Sequence, residues 1–158
     1  MGIATIACRQ AKAGSVKSAR TYAFTSLALF EAFLSVFDTK YRYVYIRPIT
    51  AINNLIDEKW EPYLQTPPFP EYTSGHSTIT GSAATVLTYL YGDNVAFTDT
   101  SNRRYINMER KFSSFIQASD ECSISRFYGG IHYKISVDRG AVVGKKIGRY
   151  IIDKIENK

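Results

Sequence analysis

Apolar and polar positions recur along most of the chain with the period of an α-helix. From Ser15 to Asp38 the residues Ala19, Ala23, Leu27, Phe30, Leu34 and Phe37 step by four, four, three, four and three, which places them on one helical face. Phe24, Ala28 and Phe33 widen that stripe enough to predict burial against a bundle core. Glu31 falls inside it, either solvated or as a buried acid with a partner elsewhere. A second apolar run, from Ile79 through Val86 and Leu87 to Leu90, begins directly after Ser74-Gly75-His76 and stops at the turn signal Tyr91-Gly92-Asp93-Asn94. Ser114 with Gln117 forms a capping-box pattern, followed by Phe115, Ala118, Cys122 and Ser125 on one face. Gly129-Gly130 breaks that helix. A last helix is predicted from Ile131 or Lys134 to Ile155, with Val143, Ile147, Ile151 and Ile155 as its apolar face. Gly140, Gly144 and Gly148 recur at every fourth position in it; they cost helix propensity, so they predict close packing of another helix.

The connections are less regular. Lys40 to Pro48 alternates like a strand, yet its place between helices fits an irregular or partly helical link equally well. Pro48 pushes Arg47 out of the α region. A short helix from Thr50 to about Glu58 leads into a long loop, Trp60 to Thr73, with four prolines. Loops of that length in a compact domain are more often functional than idle. Residues 95–112 read as polar and irregular, with a small hairpin through Ala96-Phe97-Thr98 and Arg104-Tyr105-Ile106. Residues 1–14 carry no clear signal. The whole predicts an all-α fold, one domain over 1–158, with four main helices and one long proline-rich active-site loop.

Composition narrows the class without deciding it. An apolar content of 45% and an aromatic content of 14% exclude a disordered chain. The net charge of +6 suits an anionic ligand. No Lys/Arg run reads as a nucleic-acid arm. The most apolar segment, Tyr22 to Phe37, is interrupted by Thr25, Ser26, Glu31 and Ser35 and is too short for a membrane span. Met1 is not followed by the basic and apolar regions of a signal peptide, so the location stays open. Cys8 and Cys122 have no metal-type spacing and read as two free thiols.

Three stretches carry the chemistry. Lys40 and Arg47 follow the first long helix. Ser74, Gly75 and His76 open the second. Ser125, Arg126 and His132 span the Gly129-Gly130 break. The amides at a helix start lack internal partners and favour an anion. Arg offers a planar fork for two oxygens and Lys a point charge. The chain's two histidines, His76 and His132, add a nucleophile or ligand and a general acid. Together these residues predict a pocket for a tetrahedral oxyanion. Taken singly, each also has a plain structural reading: solvated cations, a helix-terminal Arg, a satisfied His.

These motifs resemble the superfamily of type 2 phosphatidic acid phosphatases and vanadium-dependent haloperoxidases. Lys40, six residues and Arg47-Pro48 match its first motif. Ser74-Gly75-His76 matches the second, with Thr73 where Pro is usual. Ser125-Arg126, five residues and His132 match the third, with Ser136 where the family carries Asp. The resemblance runs from about residue 15 to the end, with the motifs inside 40–138. It implies that Lys40, Arg47, Ser74, Gly75 and Arg126 hold vanadate or phosphate. In the haloperoxidases it implies His132 as the residue that binds vanadium and His76 as an acid–base for peroxide. In the phosphatases it implies His132 as nucleophile and His76 as the acid for the leaving oxygen.

Pro67-Pro68-Phe69-Pro70 and Gly129 to Tyr133 resemble the soluble haloperoxidase branch. There Phe69 would line the halide site, and Phe37 stands where an aromatic is usual. The expected activity is therefore oxidation of halide by hydrogen peroxide with vanadate as cofactor. The alternatives are a phosphate monoesterase that needs no cofactor and a non-catalytic oxyanion-binding or packing domain. No nucleic acid or membrane span is expected. With Asp absent at 136, Ser136 or Asp138 is expected to orient His132. The family's soluble enzymes are longer, so the chain is expected to be a truncated product with an N-terminal half missing or a minimal relative, with a homo-oligomer as the other partner expectation. Such relatives are often exported.

Overall fold

The glycine repeat of the last helix sets how the bundle closes. The computed structural model describes residues 1–156. Its central helix, α4 (Gly75–Tyr91), packs along α7 (Lys134–Glu156), and is flanked by α2 (Ser15–Tyr43) and α6 (Phe115–Tyr128). A Cβ on Gly140 would lie 2.8 Å from the Ser74 carbonyl oxygen, one on Gly144 2.2 Å from that of Thr78, and one on Gly148 2.7 Å from that of Ser82. No side chain fits in those gaps, so the two backbones touch over three successive turns. The Ser74 amide then donates to the Ser136 carbonyl at 3.2 Å, tying the start of α4 to the start of α7.

Two apolar clusters flank this contact. Ala4, Ala7, Ala84, Leu87, Phe97, Phe112, Phe115 and Ala118 form one; Phe24, Ala28, Val86 and Ile152 form the other. The first includes α1 (Gly2–Gln10), which the sequence of residues 1–14 did not announce. Helix α6 opens with Ser114 accepting from the Gln117 amide at 3.0 Å. The Gln117 side chain returns to the amide of Ser113, one residue earlier than a capping box requires.

Several expectations are corrected. The stripe predicted to face the core along α2 faces outward: Leu27, Phe30 and Leu34 are exposed, Phe30 by 58%. The buried face is Thr21, Phe24, Thr25, Ala28, Ala32, Val36 and Lys40, so of the predicted positions Phe24 and Ala28 do face the core. Close packing selects small side chains here, and the Ser82 hydroxyl donates to the Ala28 carbonyl at 3.1 Å across the α2–α4 contact. Glu31 is exposed. The stretch after Lys40 is helical through Tyr43. It then turns at Val44, whose φ of 50° is unusual for a β-branched residue, and runs extended to Arg47. The next helix, α3, is Pro48–Leu55. The small hairpin pairs β1 (Phe97–Asp99) with β2 (Arg110–Phe112), while Arg104-Tyr105-Ile106 belongs to a helical turn, α5 (Arg103–Ile106). Phe112 wins the pairing because it meets Phe97 and faces the core; residues 103–106 are exposed. Cys8 and Cys122 are free thiols. Among the described residues no helix is long and apolar enough to cross a membrane.

The backbone contact of α7 generates a stability prediction. Gly144→Ala inserts a methyl group where the Thr78 carbonyl stands and should cost on the order of 2–3 kcal/mol in urea unfolding. Val142→Ala, on the exposed side of the same helix, should stay within about 0.5 kcal/mol.

Candidate active site

The long loop is held from below by Lys40. The side chain is 1% exposed, and its ammonium donates to the carbonyls of Pro70, Glu71 and Thr73, each at 2.8 Å. All three of its protons are therefore used on the backbone that leads into Ser74. Burial and the Arg47 charge lower its pKa to about 8. Arg47, extended because Pro48 follows it, turns its guanidinium back under the same loop. Its Nε donates to the Phe69 carbonyl at 3.0 Å and its Nη1 to that of Ile131 at 2.7 Å. The Glu71 amide donates to the Tyr45 carbonyl, and the Leu64 amide to that of Gly129. The loop is thus fixed to α2, to the link before α3 and to the Gly129-Gly130 turn.

Glu71 is the acid of this site, and its side chain is 0% exposed. One carboxylate oxygen lies 2.6 Å from Nδ1 of His132 and accepts from the Tyr133 amide at 3.0 Å. The other accepts from the Ser136 hydroxyl at 2.6 Å. Burial alone would raise the Glu71 carboxyl, but the bonds from His132, Ser136 and the Tyr133 amide outweigh it and hold the pKa below the ordinary carboxylate value. For His132, burial together with Arg47 and Lys40 outweighs Glu71 and lowers the pKa. A carboxylate facing a neutral imidazole fixes the proton on Nδ1. The lone pair is then on Nε2, which Arg47 Nη1 approaches at 3.3 Å.

His76 differs in kind. It sits in the first turn of α4 and is open to solvent. The protein behind its ring, then the charges of Arg126, His132 and Lys40, push its pKa below the usual value, so it is neutral at pH 7. Ser74 caps α4 through its hydroxyl, which accepts from the Ser77 hydroxyl at 2.8 Å and the Ser77 amide at 3.4 Å. Gly75 and His76 supply first-turn amides, which a helix leaves without internal partners. A Cβ on Gly75 would meet only Val36, at 3.6 Å, so packing within the chain does not demand glycine there. Arg126 donates to the Ser125 hydroxyl at 3.0 Å and lines a cavity of about 540 Å³ between α1, α2, α4 and α6, with Leu29, Leu87 and Phe115 among its walls.

Of the two expected pocket aromatics, Phe69 lies between the cations, 5.3 Å from Lys40 Nζ and 5.2 Å from Arg47 Cζ, and Phe37 packs on it at 5.3 Å. The expected orienters of His132 need correction. Asp138 is exposed and pairs with Lys134, because it leaves α7 on another side. Ser136 is close but bonds to Glu71 rather than to the ring. Glu71 was missed as a site residue. The available signal was a charged residue between Pro70 and the Tyr72-Thr73-Ser74 entry, in a loop already marked by its prolines.

Residues 20–158 match the family model of the VCPO second helical-bundle domain. Among solved structures, the crystal structure of the first bacterial vanadium-dependent iodoperoxidase is similar with a TM-score of 0.95 and 48% identity, over 97% of this chain and 37% of that one. The holo-type bacterial vanadium-dependent chloroperoxidase shares the fold at a TM-score of 0.73 and 20% identity, over 85% of this chain and 35% of that one. The chain therefore spans little more than a third of the length of these structures. A search of curated proteins gives no match.

The clasp at Lys40 can be tested directly. Lys40→Met keeps the apolar stem and leaves three buried carbonyls without their donor. It should cost about 2–4 kcal/mol, and the amides of residues 69–74 should exchange hydrogen faster than those of α4.

Proposed function

The chain belongs to the family of the VCPO second helical-bundle domain of vanadium haloperoxidases, and from that premise we propose that it carries the vanadate-holding, catalytic part of a vanadium-dependent haloperoxidase. The observation that supports this most is the state of His132: its Nδ1 is fixed by Glu71, and its Nε2 keeps a lone pair facing Arg47. Iodide is the halide to test first, because the structure at 48% identity is that of an iodoperoxidase.

The residues fit an oxyanion. Gly75 leaves room where a side chain would stand, and the first turn of α4 presents its amides beside it. Arg47 and Arg126 supply guanidinium donors. Ser74 keeps a hydroxyl proton to give, since its oxygen already accepts from Ser77. Lys40 contributes charge rather than a direct bond, because its protons are on the loop carbonyls. His132 would hold vanadium through Nε2. Vanadate, when bound, supplies a Lewis-acidic centre that activates hydrogen peroxide toward halide. His76, neutral and open to solvent, takes a proton from the incoming peroxide at a ring nitrogen and returns it later. Phe69 and Phe37 give the halide an apolar wall beside two cations.

Apo-protein titrated with vanadate, in hydrogen peroxide and iodide, should gain iodide oxidation that saturates with vanadate. His132→Ala and His76→Ala should each lower kcat/KM by about 100-fold or more. No activity at any vanadate level would sink this reading for the chain. Aryl-phosphate hydrolysis inhibited by vanadate would replace it with the phosphatase route.

The Lys40 pKa of about 8 adds a pH signature. As pH rises through 8, Lys40 loses its proton and the pocket loses a positive charge. Affinity for sulfate, which stays doubly charged across this range, should weaken as pH rises from about 7 to about 9, with half of the change reached near the Lys40 pKa of about 8. Calorimetric titration at several pH values reads this.

A further inference from the structure

We propose that Glu71 is the positioning residue that sets the tautomer of His132, that Ser136 acts only by steadying Glu71, and that positions 71 and 136 are interchangeable hosts for the one carboxylate this site needs. The inference takes its consequence from the reading of His132 as the vanadate-holding residue; its structural content stands apart from that reading.

The geometry carries it. Glu71 reaches His132 from the loop and Ser136 reaches Glu71 from α7, so loop and helix meet at a single carboxylate. The Ser136 hydroxyl lies 2.6 Å from one Glu71 oxygen, and His132 Nδ1 lies 2.6 Å from the other. A carboxylate mounted on residue 136 would therefore occupy nearly the space that the Glu71 carboxylate fills. Residue 136 is buried in the first turn of α7 and its side chain already reaches this carboxylate, so no rearrangement of α7 is needed. The charges around the ring allow only one acid. Arg47 and Lys40 are the cations that face this centre, His76 is neutral, and Asp138 points to solvent. Two carboxylates at 71 and 136 would repel at hydrogen-bond distance, and none would leave two buried cations uncompensated.

Fixing the proton on Nδ1 is what frees Nε2. Without the carboxylate, Nδ1 has no acceptor, and only the 3.3 Å approach of Arg47 Nη1 to Nε2 still favours the Nδ1 proton. Ser136 cannot take over, because a hydroxyl bonds the ring without favouring one proton position.

The test is the nitrogen and proton NMR of the two histidines, with His76→Gln used to assign them, on the protein without vanadate. His132 should show a proton on Nδ1, far downfield, and an unprotonated Nε2. Glu71→Ser should give a mixture of tautomers and weaken orthovanadate binding by about 10-fold or more, read by vanadium NMR. Ser136→Ala should leave the tautomer in place. The exchange variant Glu71→Ser/Ser136→Asp should restore the Nδ1 proton and recover most of the lost affinity. An unchanged tautomer in Glu71→Ser, or a folded exchange variant that stays mixed, overturns the proposal. Should the exchange variant not fold, Glu71→Gln decides: the neutral isostere should move the Nδ1 proton upfield, and an unmoved resonance overturns it. Wild-type protein that binds no vanadate would defeat the haloperoxidase reading while leaving the tautomer results to judge this one.

Discussion

The Lys40 ammonium, buried on the inner face of α2, gives its three protons to the carbonyls of Pro70, Glu71 and Thr73, and the loop before α4 takes its shape from those bonds. Taking one ion out of water costs several kcal/mol after relaxation. Three charge-assisted bonds at about 1.5–3 kcal/mol each offset a cost of that size. The same loop delivers Glu71, the anion facing both Lys40 and Arg47. Cation and carboxylate are therefore mutually required: Lys40 holds the backbone that presents Glu71, and Glu71 supplies the charge that makes Lys40 tolerable inside. His132 is fixed as a by-product of that balance.

The glycine rail on α7 extends the same constraint to the helices. Gly140 stands against the Ser74 carbonyl, so the start of α4 cannot move from α7 without opening the backbone contact that the glycines make. Ser74 donates its amide to Ser136, and Ser136 its hydroxyl to Glu71. Two helix N-termini thereby converge on one place. Their unpartnered amides add positive potential to Arg47 and Lys40. On the proposed reading, an anion arriving there meets the first-turn amides of α4, and no large side chain has to reorganise.

How much of this could be read from the chain depends on which physics each residue reports. Lys40, Arg47, Ser74, His76, Arg126 and His132 were legible because anion chemistry needs those residue types, and motif spacing gathered them before any geometry was known. The glycine repeat was legible because glycine in a helix is costly unless something approaches it. The buried face of α2 was not. Periodicity follows bulk, and Leu27, Phe30 and Leu34 are the bulky stripe, but beside the predicted Phe24 and Ala28 the close approach to α4 selects Thr25 and Ala32. Glu71 was not legible because an acid in a proline-rich loop has no period and no fixed partner in sequence. Its partner is 61 residues away.

The two histidines end up with opposite surroundings although each follows a glycine-containing stretch at a helix start. His132 is buried, anchored through Nδ1 and pressed by Arg47, so its proton is fixed and its ring cannot turn. His76 is open, has no carboxylate partner among the described contacts and feels Arg126, so its proton is free to exchange. On the proposed reading, His132 holds an electron-poor centre and needs the first environment, since any wandering of its proton blocks the lone pair. His76 on that reading passes protons to a small substrate and needs the second, since a fixed proton cannot be passed. The fold produces this division by placing one acid in the loop rather than on either helix. From there it reaches His132 across the α4–α7 junction and, among the described residues, leaves His76 without a carboxylate partner.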